Sequence, residues 1–120
     1  MKKPELINYK GKSILYLDFS NMSKADEIIK LEDEGAEYMR KQPLNSVLTL
    51  TNMDNMFFNN DLRKYFEEMV KGNAPYVKSS AVIGLTGLIS IMYNAFVKIT
   101  GRNIKSLKSK EEALEYLISK

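Results

Sequence analysis

The hydrophobic pattern of this chain switches repeatedly between period two and period 3.6. Glu5 to Lys10 and Lys12 to Phe19 flank Gly11. In the second stretch Ile14, Tyr16 and Asp18 fall on one side, and Leu15, Leu17 and Phe19 on the other, which is a strand period. Lys10-Gly11-Lys12 suits a tight turn, because glycine accepts positive φ. The pair predicts a β-hairpin whose second strand is well buried. Ser23 opens a predicted helix running to about Gln42, with Ser23 and Asp26 approximating a capping box. Ala25, Ile28, Leu31, Ala36 and Met39 form its apolar stripe, and Gly35 either weakens it or permits close packing. Asp26 and Glu27 suit the positive end of the helix dipole. Glu32, Asp33, Glu34 and Glu37 read as its solvated face. Pro43 stops the helix.

Ser46-Val47-Leu48-Thr49-Leu50-Thr51 is β-branched and predicts a buried strand. The Asx-rich run Asn52 to Asn60 suits turns and caps, and Asn59 or Asn60 can cap the second helix. In that helix Leu62, Tyr65, Phe66, Met69 and Val70 recur at helical spacing, ending at Gly72-Asn73 with Pro75 beyond. Tyr76 to Ile83 predicts a fourth strand. Thr86 to Ile99 predicts a third helix, apolar nearly all round and closed by Gly101. Asn103 to Leu107 predicts a short edge strand. Ser109-Lys110-Glu111-Glu112 is a capping box for a last helix with Ala113, Leu114, Leu117 and Ile118 inward. The order is β-β-α-β-α-β-α-β-α, a mixed five-stranded sheet with four main helices in an α/β fold. Val47, Leu48, Leu50, Val82 and Ile83 are expected to be buried. All 120 residues fit one domain.

Ser79 to Val97 holds nineteen residues without a charge. That length touches the limit for a membrane span. Gly84, Gly87, Ser90 and Asn94, with a strand-like first third, favour a buried strand followed by a buried helix. The start Met-Lys-Lys-Pro-Glu-Leu has no apolar run of a signal peptide.

Composition narrows the chemistry. The chain has no cysteine and no histidine. Disulfides, thiolate metal sites, the commonest general base and the usual pH switch are therefore all excluded. A cysteine-free chain suits a cytoplasmic location. No Ser-His or Cys-His pair, HExxH, Walker loop or GxGxxG occurs. The sequence points to no enzyme, no cofactor and no metal, and an enzyme of unknown type is kept only as an alternative. Asp18, Asp54 and Asp61 are carboxylates that no spacing ties together.

The net charge is +3, but no carboxylate occurs from Met69 to Lys110. That span is either ordinary solvated surface or a side facing phosphate, lipid headgroups or an acidic partner. Thr86 and Gly87, where a strand meets a helix, are the candidate anion-binding residues. Basic residues are not interleaved with aromatics, so nucleic acid is not an expected partner. A soft apolar set is more unusual: Met53, Met56, Phe57 and Phe58, then Leu88, Met92 and Phe96. In a parallel α/β sheet both groups fall near the carboxyl ends of strands, where ligands bind, and methionine adapts to irregular apolar surfaces. Plain core packing is the competing reading. With Asn59 and Asn60 these residues are the candidate ligand- or partner-binding set. The apolar surplus of the third expected helix needs a cover: the last helix, a ligand, a second subunit in a homodimer, or peripheral contact with a membrane.

The hairpin YKGKSILYLDFS, the join LTLTNMDNMFFNNDL and the stretch PYVKSSAVIGLTGLISIMYNAFVKITGRNIKSL together resemble the SpoIIAA-like or STAS domain. The likeness is to its small bacterial STAS/SEC14-like branch and covers essentially the whole chain. The resemblance implies a non-enzymatic binding or regulatory module, docking a protein partner or small ligand near the starts of the second and third helices. Its SEC14-like side implies, alternatively, a carrier of a nonpolar, lipid-like ligand. In the anti-sigma antagonists a serine at the start of the second helix is phosphorylated. The matching Phe58-Asn59-Asn60-Asp61 has no serine or threonine, so that switch is not expected here.

Overall fold

A computed structural model describes residues 2–87, 90 and 104–120. Strand β1 (Glu5–Tyr9) turns into β2 (Lys12–Asp18), followed by helix α1 (Ala25–Met39), β3 (Val47–Asn52) and helix α2 (Asn60–Asn73). A 3-10 turn at Ala74–Tyr76 leads into β4 (Val77–Ile83), and β5 (Ile104–Leu107) precedes helix α3 (Lys110–Ile118). The sheet has five strands in the order β1-β2-β3-β4-β5. β1 is antiparallel to β2, and every later pairing is parallel. This is a mixed α/β sheet with three helices among the described residues. The expected third helix, Thr86 to Ile99, lies almost wholly outside them.

The hairpin forms where glycine predicted it. Lys10 and Gly11 both take positive φ, 48° and 84°, as a two-residue turn matched to strand twist requires. The alternation in β2 then sends its side chains to two cores. Leu15, Leu17 and Phe19 pack with Ile28, Leu31 and Met39 of α1 and Leu62 and Phe66 of α2. Ile14 and Tyr16 pack on the opposite side with Leu48, Leu50, Ala81, Ile83 and Ala113, Leu114 and Leu117 of α3. A parallel sheet covered on both faces reads as near-continuous apolar runs, and Val47, Leu48, Leu50, Val82 and Ile83 are all buried.

Gly35 permits close approach. A Cβ there would lie 2.9 Å from Leu17 Cδ2, so α1 rests directly on β2. Two expectations for α1 need correction. Ser23 does not cap it: the N-cap is Lys24, with no side-chain bond. The segment before the helix is held by other contacts, with Met22 N–H donating to the Phe19 carbonyl at 3.2 Å. Nor is Glu32 solvated. It is only 6% exposed, because α2 covers that part of α1. The other helix starts follow the pattern. Asn59 Oδ1 accepts from Leu62 N–H at 2.9 Å, and Ser109 Oγ accepts from Glu112 N–H at 3.1 Å.

α3 is fastened to the hairpin through its last turns. Lys12 Nζ donates to the carbonyls of Ile118 and Lys120 at 2.9 and 3.2 Å, where the helix dipole is negative. Tyr9 hydroxyl donates to Glu115 at 2.7 Å, and Lys10 pairs with the same carboxylate.

Candidate functional site

Three loops meet at the carboxyl ends of β2, β3 and β4, the end at which open parallel sheets bind ligands. The ladder continues past the strands to position them. Phe19 N–H donates to the Asn52 carbonyl at 2.8 Å, and Met53 N–H to the Ile83 carbonyl at 2.9 Å. Asn52 Oδ1 accepts from Asp54 N–H at 3.0 Å, an Asx turn that ends β3. Asn21 and Asn55 sit at φ 60° and 55°, a conformation asparagine tolerates best among residues with a Cβ. They meet through Asn55 Nδ2 and Asn21 Oδ1 at 2.9 Å. Asn21 N–H also donates to the Asp54 carbonyl at 2.9 Å, and Phe57 N–H to the Met22 carbonyl at 2.8 Å.

The exit of β4 closes against the same loop. Gly84 has φ +80°, and a Cβ there would fall 2.7 Å from Asp54 Cα. No other residue combines that backbone angle with that clearance. Gly87, at φ +56°, has nothing within 4 Å of its Cβ position, and it and Thr86 are exposed.

The predicted site residues therefore separate. Met53 and Met56 are each 6% exposed and belong to the core that contains Phe19, Leu62 and Phe66. Phe58 is half-buried against that core. Phe57 is 43% exposed. Asn59 is spent on capping α2, and Asn60 is its exposed first residue. Leu88, Met92 and Phe96 lie outside the described residues. The structure thus brings Phe57, Asn59 and Asn60 to the same end of the sheet as Thr86 and Gly87.

Asp18 closes the rim on the β2 side. Burial raises its carboxyl, but bonds from Ser20 and the Lys2 ammonium outweigh burial and hold it below its ordinary value. Ser20 N–H donates to it at 3.0 Å, and Lys2 Nζ stands 3.5 Å away. Asp54 and Asp61 are exposed. Among the described residues no three acids gather to hold a metal, and no helix is long and apolar enough to cross a membrane.

Sequence reasoning missed one feature of the neighbouring α1–α2 seam. Tyr65 hydroxyl donates to the Ile29 carbonyl at 3.0 Å and to the Asp33 carboxylate. Arg40 Nε donates to Asn73 Oδ1 at 3.0 Å. Glu32 lies in this seam, its carboxyl pushed up to about 7 by burial and then by Asp33, against the pull of Arg40. The only signal was Arg40, two helical turns beyond Glu32 on the same side.

Comparison of the chain with protein-family models, with curated proteins and with solved structures finds no match in any of the three.

Proposed function

We propose that this chain is a non-enzymatic, STAS-like binding module that docks a partner through the rim at the carboxyl ends of β2, β3 and β4, centred on Phe57. The observation that carries this reading is the half-open Phe57 ring, 43% exposed, on a loop whose neighbours Met53 and Met56 are buried. A large aromatic exposed at the ligand-binding end of a parallel sheet is the kind of residue that anchors contacts. Leu6 and Leu44, the other large exposed hydrophobics among the described residues, lie elsewhere: Leu6 on edge strand β1, Leu44 before the amino end of β3.

Two further points support docking without chemistry. The chain has no histidine or cysteine, and the rim's amides and asparagines are largely bonded to one another. Within Phe58-Asn59-Asn60-Asp61, the segment that the resemblance matches to the one holding a phosphorylated serine, Asn59 supplies a helix cap instead. Enclosure of a nonpolar ligand is the second reading of the same cluster. Met53 and Met56 are packed into the core, which favours docking at the rim over enclosure.

The test compares wild type with Phe57→Ser in titrations with an apolar probe dye and by light scattering. Weaker dye uptake or lost self-association, with an intact fold, supports the rim. Unchanged behaviour in both refutes it. Native mass spectrometry of freshly purified protein separates the two readings, since an enclosed ligand adds mass to the monomer.

A further inference from the structure

We propose that Glu32 is a proton-operated latch in the seam between α1 and α2: the neutral acid lets the two helices close, and the carboxylate loosens them. Glu32, Thr49, Asn73 and Ser79 are the buried polar residues among those described. Thr49 bonds to Ser80, and Asn73 accepts from Arg40. Among the described residues no hydrogen bond or ion pair reaches the Glu32 carboxyl.

The groups around it make the charged form costly. On α1, Asp33 adds a second negative charge and Arg40 opposes it. From α2 comes the Tyr65 hydroxyl, already committed to Ile29 and Asp33. Burial, the bond to Asp33 and then the Glu32 charge keep that hydroxyl protonated well above its ordinary range. From β2, below α1, comes Leu17, which fills the space at Gly35. Arg40 is the cation that acts on Glu32, but its Nε is bonded to Asn73 and its guanidinium lies against Gly72. That bond ties Arg40 to the end of α2, and among the described residues no bond joins its guanidinium to Glu32. Closing the seam and ionising Glu32 are thus in competition, and burial places the crossover near neutral pH.

The latch is read by carboxyl-carbon NMR of glutamate-labelled protein, together with amide hydrogen exchange of α1 and α2 at pH 6 and pH 8, corrected for intrinsic rates. One glutamate should titrate near neutrality and be missing from Glu32→Gln. Protection of the seam amides should fall at least about threefold from pH 6 to pH 8 in wild type and stay level in Glu32→Gln. A Glu32 midpoint at or below about 5, near the ordinary carboxyl range, overturns the latch. So does protection that falls equally in both proteins. If Glu32→Gln does not fold, Asp33→Asn decides: removing that charge should lower the Glu32 midpoint and raise protection at pH 8, and an unmoved midpoint overturns the latch.

Discussion

Met56 and Phe57 are adjacent in sequence and opposite in environment, so one substitution made at each separates core from surface. Met56 is 6% exposed and belongs to the core cluster with Phe19, Leu62 and Phe66. Truncating a buried methionine costs about 2–5 kcal/mol, from lost transfer energy and the cavity left behind. A serine hydroxyl in that cavity adds about 1 kcal/mol or more unless it finds a partner. Met56→Ser should therefore cost about 3–6 kcal/mol, a large part of the roughly 5–15 kcal/mol that holds a domain of this size. Phe57 is 43% exposed, so a little over half its surface is covered. Full burial of phenylalanine is worth about 1.5–3 kcal/mol, which scales to about 1–2 kcal/mol here.

Thermal melts read the difference directly. At about 4 °C per kcal/mol for a chain of this length, Met56→Ser should lower Tm by roughly 12–24 °C and Phe57→Ser by roughly 4–8 °C. Only Phe57→Ser should weaken uptake of an apolar dye by the folded protein. Equal Tm losses, with dye binding unchanged in Phe57→Ser, would return Phe57 to the core and remove the basis for docking at this rim.

Asn59→Ala removes the α2 cap and should cost about 1 kcal/mol, seen as a shifted urea midpoint at unchanged m. Gly84→Ala meets both a positive φ and the Asp54 backbone; the angle alone costs about 1–2 kcal/mol, and the collision should show as new amide shifts at Asp54 and Asn55 in NMR spectra. Glu32→Gln should change the pH dependence of stability. Its folded carboxyl is raised from 4.5 to about 7, so wild-type stability should fall as pH rises across that window and level off above it. At about 1.36 kcal/mol per pH unit the loss approaches 3 kcal/mol, and urea titrations at pH 5 and pH 8 should find it in wild type but not in Glu32→Gln.

Most of the fold was legible because local signals agreed with one another. In β2 the alternation of Ile14 and Tyr16 against Leu15 and Leu17 matches two cores on two sheet faces. Around Asn59 a polar cap precedes a helical stripe that begins at Leu62, and the structure uses both. Where the reading failed, a tertiary contact overrode a local one. Ser23 has the residue type for an N-cap, yet Met22 beside it is bound to Phe19 and Phe57, so the segment before α1 is held by the end of β2 and the loop after β3. Glu32 stands beside Asp33 and Glu34 and looks solvated. The packing of α2 against α1 buries it, a tertiary contact that no local pattern announces. Met53 and Met56 carry the chemistry of an adaptable surface, but residue type alone does not distinguish that from core packing.

The candidate rim combines an exposed ring with a backbone that has little freedom to move. Phe57 is held by its N–H to Met22, the stretch before it by Asn52 and Asn21, and the floor by the contact of Gly84 with Asp54. Such a loop need not be ordered when a partner arrives, so the entropy that flexible loops lose on binding is largely absent. The asparagines at positive φ serve the same end, since they hold two tight turns without glycine's freedom in the unfolded chain. Rigidity of this kind suits a fixed contact surface better than a pocket that must open to admit a ligand. The neighbouring seam differs, because its one buried carboxyl has no bonded partner among the described residues. A change of pH should therefore act on the α1–α2 contact before it reaches the rim.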